Sequence, residues 1–450
     1  MKALGATLWL VAFFAASAYA RPNAAQPQTS PPPAAVPQPA PAPTGARRLT
    51  LSEAEQLALK NNPRIGESQF QERAYEEVVR EFRAAYLPSL TGNITAVGAD
   101  SGTRLAAGVL NNPIVYSRIG TGVTMNQLIT DFGRTQSLVR SASLRASAEQ
   151  QTVNFTKADI ILQTDGAYLG VLRERALLSV ARETVQTRQL LADQVSALFQ
   201  NKLKSSLDLS FAKVNLADAK LLLSTAENNV QSAQTELARL LALPNDVQFD
   251  LVDPGLSNHG VQSSDALVQL ALQKRSDLLQ ERLQLQSAQQ FAHAEQRLSR
   301  PTVGVVGSAG YVPAGEPQIP GTFGAVGANI SIPVFNGGLF KARQSEAAER
   351  AAAAGQALRD LEFRVAKQVR VAWLDAESAH ERLGLTQQLL DQAKLALDLA
   401  QTRYNLGLSS IVELSQSQLQ YTSAEIARSR AQYDYDAQAT ILKFQAGLLP

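Results

Sequence analysis

The sequence contains no cysteine, and among its 450 residues there are only two methionines and three histidines. Without cysteine the protein forms no disulfide bond, has no thiol nucleophile and offers no thiolate to a metal ion. The histidines are isolated, and the chain has neither an HExxH motif nor a glycine-rich phosphate-binding loop. We therefore expect no enzymatic activity, no cofactor and no metal site.

The chain also lacks an excess of either positive or negative charge. The chain has 42 basic and 40 acidic residues, which give a formal net charge of +2. No nucleic-acid partner is expected, because such partners require a strongly basic surface. Beyond the N-terminus no apolar run approaches the roughly 20 residues that a membrane-spanning helix needs. If the protein lies in a membrane, it is expected to cross it as β-strands.

The N-terminus has the pattern of a targeting signal. Residues 1–20 combine a basic start, an apolar segment too short to cross a bilayer and a small-x-small motif. This predicts a signal peptide with Ala18 and Ala20 at the cleavage site. Since no cysteine is present there, the protein is not expected to be lipidated. Residues 21–46 are rich in proline and alanine, which predicts a disordered leader.

The remaining chain contains an internal repeat. Residues 55–65 correspond to residues 268–278 at an offset of 213, and residues 199–214 correspond to residues 404–419 at an offset of 205. Fixed offsets of this kind indicate two copies of one structural unit. We therefore predict a first repeat and a second repeat joined by an equatorial link.

Helix-forming residues at helical spacing, uninterrupted by proline over 114–243 and 334–449, predict long helices in both repeats. The predicted first repeat, 47–243, contains helix 52–86, β-hairpin 88–131, long helix 134–199, tip turn 200–207 and helix 208–243. The predicted second repeat, 264–450, contains helix 264–298, β-hairpin 301–336, long helix 339–404, tip turn 405–412 and helix 413–446. An irregular equatorial link is predicted over 244–263.

Two finer expectations concern the shorter helices. Ser52 and Glu55 have the spacing of a capping box. By length, helix 208–243 can stack end to end with helix 264–298 beside one long helix, and helix 413–446 can stack in the same way under helix 52–86. The result would be a long helical tube.

Each predicted hairpin contains two strands of about ten residues that alternate apolar with small or polar side chains, the pattern of transmembrane β-strands. Four strands with open edges cannot span a bilayer alone, because unpaired backbone groups are costly in lipid. Other copies of the chain must therefore complete the sheet, two copies giving eight strands and three giving 12. A soluble sheet that caps a helical rod is the alternative.

The motifs together resemble the TolC-like outer-membrane efflux family. The resemblance covers nearly the whole chain beyond the leader. It rests on "LTLSEAEQLALKNNP", "AAYLPSLTGN", "IPVFNGG" and "RYNLGLSSIVELSQSQLQY". It implies a mainly α protein with membrane β-strands. Repeated long helical hairpins would form a periplasmic α-barrel continuous with a trimeric 12-stranded outer-membrane β-barrel, with four strands from each protomer.

The resemblance also implies a function. The protein would be a homotrimer in the outer membrane of a Gram-negative bacterium, in contact with its lipid. It would passively conduct substrates from an inner-membrane transporter of the RND, ABC or MFS class. A periplasmic adaptor, or membrane fusion protein, would connect the two. The alternative function is an elongated exported coiled-coil surface or adhesion protein without a pore.

The resemblance places a gate at the tip turns. Glu413 matches one of the carboxylates that narrow the periplasmic mouth, but the next acidic position is Gln416, so the ring of charge would be weaker. Asp208 is the matching acid of the first repeat, and Tyr404 matches the aromatic residue of the opposing turn. In the family these two positions hydrogen-bond between coils, so the resemblance implies a Tyr404–Asp208 hydrogen bond that helps to hold the mouth shut. Ser409 stands where the family has a basic latch residue, so that latch is expected to be absent.

The same turns match the family's adaptor-docking positions. In the second turn these are Leu406, Gly407, Leu408 and Ser409, and in the first they are Asn201, Lys202 and Leu203. Because Lys202 replaces the expected glycine, the two docking sites are expected to be unequal. Gly407 could alternatively serve only to end its helix, and Asp208 and Glu413 could be ordinary helix-start acids.

Overall fold

A computed structural model describes residues 47–100, 102–104, 114–244, 249–255, 263–315, 317 and 320–449. The predicted signal peptide with Ala18 and Ala20 and the predicted leader lie outside the described residues. So do parts of the loops between the predicted strands and part of the predicted equatorial link.

The two repeats have the same order of elements. The first contains β1 (Arg47–Leu49), α1 (Leu51–Asn61), α2 (Pro63–Ala84), β2 (Ser89–Val97), β3 (Arg118–Thr130), α3 (Arg134–Gln200) and α4 (Ser206–Leu240). The second contains β4 (Phe249–Leu251), α5 (Ser264–Lys274), α6 (Ser276–Gln296), β5 (Thr302–Gly315), β6 (Thr322–Ser331), α7 (Leu339–Asn405) and α8 (Ile411–Gln445).

The long helices α3 and α7 have 67 residues each, within one residue of the predicted bounds. At 1.5 Å per residue each is about 100 Å long. Both begin after a glycine in the left-handed conformation, Gly133 and Gly338, which turns the chain from the sheet into the helix. Among the residues that the structure describes, none of the helices combines the length and hydrophobicity required to cross a bilayer.

The predictions of single helices over 52–86 and 264–298 were wrong. Each is two helices, separated at Asn62 and at Arg275, which have extended backbone ψ angles of 122° and 125°. Pro63 explains the first break, because the residue before a proline avoids the helical conformation. The predicted capping box was also misplaced, since Thr50 and Glu53 form it.

Asn62 and Arg275 occupy equivalent positions of the repeat and make equivalent contacts. The Asn62 side chain donates a hydrogen bond of 3.1 Å to the carbonyl oxygen of Leu240 at the end of α4. The Arg275 guanidinium donates hydrogen bonds to the carbonyl and side-chain oxygens of Gln445 at the end of α8. Each break therefore contacts the end of the last helix of the same repeat, which is α4 in the first repeat and α8 in the second.

These contacts correct the predicted stacking. Helix α4 continues into α1 and α2, and α8 continues into α5 and α6, so each repeat stacks with itself and not with the other repeat. Two apolar clusters fill the junctions, one around Leu49, Ala54 and Leu237 and one around Leu267, Leu278 and Ala446. Helix α3 also contacts α6 and α8, and both of these contact α7. The helices therefore form a layer in the order α2/α4, α3, α6/α8, α7. The stack α2/α4 and helix α7 are the free edges of this layer.

The four long strands form one antiparallel sheet in the order β2-β3-β5-β6. Strands β2 and β6 are its edges: β2 pairs only with β3, and β6 only with β5, among the described strands. Strand β2 follows α2, and β6 precedes α7. Each edge strand of the sheet is therefore connected directly to an edge helix of the helical layer.

The two faces of the sheet differ in polarity, because successive side chains of a strand point to opposite faces. One face carries apolar side chains, including Leu90, Val123, Val305, Val326 and Ile330. The other face carries mainly small and polar side chains, including Thr91, Asn93, Thr124, Ser308 and Asn329.

The predicted irregular link contains a short strand. Strand β4 pairs in parallel with β1, so the start of the first repeat is paired with the start of the second. The hydroxyl of Tyr168 on α3 lies within hydrogen-bond distance of two carbonyl oxygens, 2.8 Å from Leu49 and 2.6 Å from Val252. Tyr168 itself is fully buried, and it anchors this small sheet to the long helix.

Candidate functional site

The two tip turns have the same backbone design. In the first, the Leu203 amide donates to the carbonyl of Leu198 and the Lys202 amide to that of Phe199. In the second, the Leu408 amide donates to the carbonyl of Arg403 and the Gly407 amide to that of Tyr404. This pair of bonds is the Schellman motif, which ends a helix with one residue in the left-handed conformation.

The left-handed residue differs between the turns. It is Gly407 in the second turn, with φ of 73°, and Lys202 in the first, with φ of 60°. A residue with a Cβ atom is disfavoured in this conformation by about 1–2 kcal/mol. The first turn thus keeps the geometry of the second at a conformational cost, and it places a positive charge at the tip.

The acids that begin the following helices have different partners. The Asp208 carboxylate accepts hydrogen bonds from the amide and hydroxyl of Ser205, at 3.0 and 2.8 Å, and so completes a capping box. Partial burial raises the pKa of Asp208, but the bonds from Ser205 and the charge of Lys204 outweigh this effect, and the pKa lies below its ordinary value. Asp208 is therefore committed to its own helix terminus.

Glu413 is positioned differently although it occupies the same place in the repeat. Its amide donates to the Ser410 hydroxyl at 3.4 Å, while its side chain turns to the preceding helix. One carboxylate oxygen lies 3.3 Å from Nε of Arg403, and the Glu413 side chain remains 43% exposed. Of the two matching acids, Glu413 is the one whose carboxylate pairs with a cation of the preceding helix and not with the serine that caps its own helix.

Tyr404 is buried in an apolar cluster that joins the two turns. Its neighbours include Val195 of α3 and Ile411 and Leu414 of α8. The Nζ atom of Lys204, from the first turn, lies 4.2 Å from the centroid of the Tyr404 ring. This distance fits a cation–π interaction, which attracts the two turns to each other within one chain.

The predicted Tyr404–Asp208 hydrogen bond is not formed within the single chain. The Tyr404 hydroxyl is buried and has no hydrogen-bond partner in the described part of the chain, and the same holds for the Ser409 hydroxyl. Gln416 is exposed one turn beyond Glu413. The structure thus brings Tyr404 and Glu413 to one turn, with Asp208 at the start of the neighbouring helix.

The predicted docking residues form two exposed tips. Leu406 and Leu408 are each 68% exposed and Leu203 is 70% exposed. Asn201 and Lys202 are also exposed, as is Gly407, whereas Ser409 is half-buried. Each tip therefore presents leucine side chains to solvent beside a tightly turned backbone.

Sequence reasoning did not identify Arg403 and Lys204. Both are basic residues beside the turns, and the repeat offset of 205 places Lys204 at the position of Ser409. The missing basic residue of one turn is therefore present in the other. Comparing the two repeats residue by residue could have found it.

Above the turns, polar groups lie between the helices of the two repeats. The Arg188 side chain, buried on α3, donates a hydrogen bond to the side-chain oxygen of Gln418 on α8. The Asn215 side chain on α4 donates to the Ser415 hydroxyl on α8 at 2.8 Å. These bonds, like the Lys204–Tyr404 contact, attach the second hairpin to the first.

The free edges of the helical layer carry exposed apolar residues. On α4 these are Leu207, Phe211, Val214 and Leu221, which follow one another at intervals of four, three and seven residues. On α7 they are Leu385, Leu389, Leu395 and Leu399. Such intervals align side chains along one face of a helix. Both edges therefore have the composition of a packing surface.

Comparison with known proteins places this architecture among described families. A profile of the outer membrane efflux protein family matches residues 54–243 and 267–448, which correspond to the two repeats. The outer membrane efflux protein BepC of Brucella suis is 22% identical over 390 residues, with 86% of this chain and 82% of BepC covered. The outer membrane protein TolC of Escherichia coli is 24% identical over 430 residues, with 89% and 84% covered.

A solved structure shows the same fold. The CmeC outer membrane channel of Campylobacter jejuni superposes with a TM-score of 0.79 at 16% identity, covering 88% of this chain and 85% of CmeC. At this identity the likeness describes the fold. It agrees with the mainly helical repeats and the four-stranded sheet described above.

Proposed function

The chain belongs to the outer membrane efflux protein family, and from this membership we infer that it is an outer-membrane exit duct of an efflux or secretion system. The observation that carries the inference is the pair of open edges on each layer. A sheet with two unpaired edge strands is unstable in lipid, and closure into a barrel removes the edges. The fold is that of trimeric channels, so β6 of one copy would pair with β2 of the next.

The helical edges support the same closure. The exposed apolar residues of α4 and α7 lie on opposite sides of the layer. When copies are arranged in a ring, α7 of one copy would pack against the α2/α4 stack of its neighbour. Leu207 and Leu399 are members of the two surfaces that this contact would bury. The lumen of the sheet would then continue into a tube about 100 Å long.

The tip turns would form the periplasmic mouth of the duct. Three copies of Glu413 would place a ring of carboxylates there, and such rings favour cations over anions. Arg403 lies 3.3 Å from each carboxylate and would partly neutralise the ring. With Gln416 in place of a second acid, we expect weaker selectivity than two acidic rings would give.

The gate would be held by contacts between the two hairpins. The candidates are the cation–π contact of Lys204 with Tyr404 and the hydrogen bonds of Arg188 and Asn215. Asp208 would act through its capping box, which fixes the start of α4. Opening would move α8 away from α3 and break these contacts first.

The exposed tips would dock a periplasmic adaptor, which would connect the duct to an inner-membrane transporter of the RND, ABC or MFS class. Leu406, Gly407 and Leu408 would provide one site, and Asn201, Lys202 and Leu203 the other. Lys202 adds charge at only one of them, so the two sites would bind the adaptor unequally.

Single-channel recording in a planar bilayer tests the duct and its mouth together. The wild-type protein is expected to insert and to show a small, cation-selective conductance. Glu413→Gln should lower the cation selectivity because it removes the ring. Arg403→Gln should raise it because the carboxylates lose their counter-charge. Asp208→Asn is the matched control, since that carboxylate is used within its own helix terminus.

The outcomes separate the competing functions. Insertion with selectivity unchanged in both variants would keep the duct and reject the Glu413 ring. A folded, elongated protein that stays soluble without detergent and forms no pore would support the alternative of a coiled-coil surface or adhesion protein.

A further inference from the structure

Phe323 is an exception on the polar face of the sheet. It is the second residue of β6, and its row crosses β2 at the middle residue of that strand, Asn93. The register places it in one row with Gly310, Gly122 and Asn93, directly beside the row Ala325, Ser308, Thr124 and Thr91. A large aromatic side chain thus stands among small and polar ones.

Two glycines make room for the Phe323 ring. A Cβ atom on Gly310 would lie 2.5 Å from the ring carbon Cζ, and one on Gly122 would lie 3.1 Å from the same atom. The side chain therefore extends from β6 over β5 towards β3 and rests on bare backbone. A side chain on Gly310 would meet both the ring and the carbonyl oxygen of Thr121, so the close approach of strand and ring at this point requires glycine.

The opposite face of the ring remains open. Phe323 is 45% exposed although two neighbouring strands lie beneath it. In a closed barrel the apolar face of the sheet meets lipid and the polar face lines the interior. Phe323 would then present its ring to the lumen about halfway along the barrel strands, and three copies would surround the exit path.

Arg118 lies on the same face. It is four residues before Gly122 on β3, its side chain is exposed, and alternation places both residues on one side of the strand. A positive charge is thus located beyond the aromatic surface, towards the external end. An aromatic solute with a negative group would be attracted by both features.

On this basis we propose that Phe323, seated on Gly310 and Gly122, is a binding position in the barrel lumen at which flat aromatic solutes, anionic ones foremost, stack as they leave the duct. The proposal rests on the inferred function as a duct. It adds a position where the barrel itself contacts its cargo. Aromatic stacking contributes about fivefold in affinity per ring, which suits a site that must also release its ligand.

The absence of cysteine makes the position directly testable. Phe323→Cys is expected to react with a membrane-impermeant maleimide in proteoliposomes. Val326→Cys, on the same strand but the apolar face, is the matched control and should be protected by lipid. Added 1-naphthalenesulfonate should slow the labelling of Ala325→Cys, which lies on the same face beside an intact Phe323 ring, whereas hexanesulfonate of equal charge should not. Labelling of Val326→Cys alone would overturn the assignment of the faces.

A current measurement tests the stacking. External 1-naphthalenesulfonate should block wild-type channels, and Phe323→Leu should raise the half-blocking concentration about fivefold. Phe323→Trp should retain the block, and block by hexanesulfonate should not change. Equal block of wild type and Phe323→Leu, with normal conductance, would overturn this site while leaving the duct intact. A wild-type protein that never conducts would overturn the duct and this site together.

Discussion

The carboxyl group of Asp165 on α3 lies against that of Glu55 on α1, and Asp165 is only 4% exposed. Burial is the main reason that the pKa of Asp165 rises to about 8, and the adjacent Glu55 raises it further, while Lys443 on α8 opposes both. One Asp165 oxygen has no hydrogen-bond partner among the described residues. Near neutral pH the site therefore favours a protonated Asp165.

This pair predicts a pH-dependent stability. The folded state binds the Asp165 proton more tightly than the unfolded state. The stability that this proton contributes is therefore fully present below about pH 4 and is lost as the pH rises towards 8. Asp165→Asn keeps a neutral group at every pH. We expect the wild-type melting temperature to fall from pH 5 to pH 8, and that of Asp165→Asn to fall much less.

The control for this prediction is Asp193→Asn, an exposed acid on the same helix. It should leave the pH dependence of the melting temperature as it is in the wild type. Glu55→Gln should reduce the dependence in part, since burial of Asp165 remains. If Asp165→Asn melts at the same temperature as wild type at pH 8, the ionised side chain is not destabilising.

Lys202 predicts a stabilising substitution. Its left-handed backbone is one that glycine adopts freely, so Lys202→Gly should raise the free energy of unfolding by up to about 1 kcal/mol. Gly407→Ala is the reciprocal control, because no atom lies within 4 Å of the added Cβ and only the backbone opposes it. That variant should lose a similar amount. Chemical denaturation of the purified protein measures both, and a destabilised Lys202→Gly would show that the lysine side chain makes a compensating contact.

Tyr404 distinguishes two designs of the gate. If its hydroxyl has no partner in the assembled protein, Tyr404→Phe should change the free energy of unfolding by less than about 0.5 kcal/mol. Lys204→Gln should cost about 1 kcal/mol through the lost cation–π contact, and should cost less in a Tyr404→Leu background, where only its attraction to Asp208 remains to be lost. Thermal melts of the wild type, Lys204→Gln, Tyr404→Leu and the double variant measure this coupling.

The opposite result would also be informative. A loss of more than about 1.5 kcal/mol in Tyr404→Phe would indicate that the hydroxyl is bonded to a neighbouring copy. That is the contact between coils that the family resemblance predicts with Asp208.

The extent to which the sequence predicts this fold can be judged from particular residues. Helical spacing and the absence of proline located α3 and α7 to within a residue, because such signals are local and repeated over many turns. The stacking of α4 under α2 was mispredicted, because length alone fits either pairing. Only the long-range contact of Asn62 with Leu240 decides it.

The candidate site was predictable to a similar degree. Alignment of the repeats identified Glu413 and Asp208, but not that one carboxylate caps a helix while the other meets Arg403, since this depends on rotamers. Asp165 had a sequence signal that was missed. It stands in an apolar stripe with Ile161, Tyr168 and Leu172, where an acid is unexpected.

Arg275 predicts the largest loss of stability. Its guanidinium donates two hydrogen bonds to Asp277, at 3.0 and 2.6 Å, and further bonds of 2.9 Å to Gln368 on α7 and Gln445 on α8. It is 7% exposed, so its removal leaves buried acceptors without a donor. Arg275→Ala should therefore cost about 3 kcal/mol. Arg275→Lys should recover only part of this, because an ammonium group cannot reach all three partners in one plane.

Arg239→Ala is the matched control, since Arg239 forms an exposed ion pair with Glu236 within one helix and should cost less than about 0.5 kcal/mol. Denaturant melts measure the three variants. Asn62 makes the equivalent connection in the first repeat with a single bond to Leu240, so Asn62→Ala should cost less than Arg275→Ala. An equal loss in the two variants would mean that the break in the helix, and not the number of bonds across it, determines the stability of the junction.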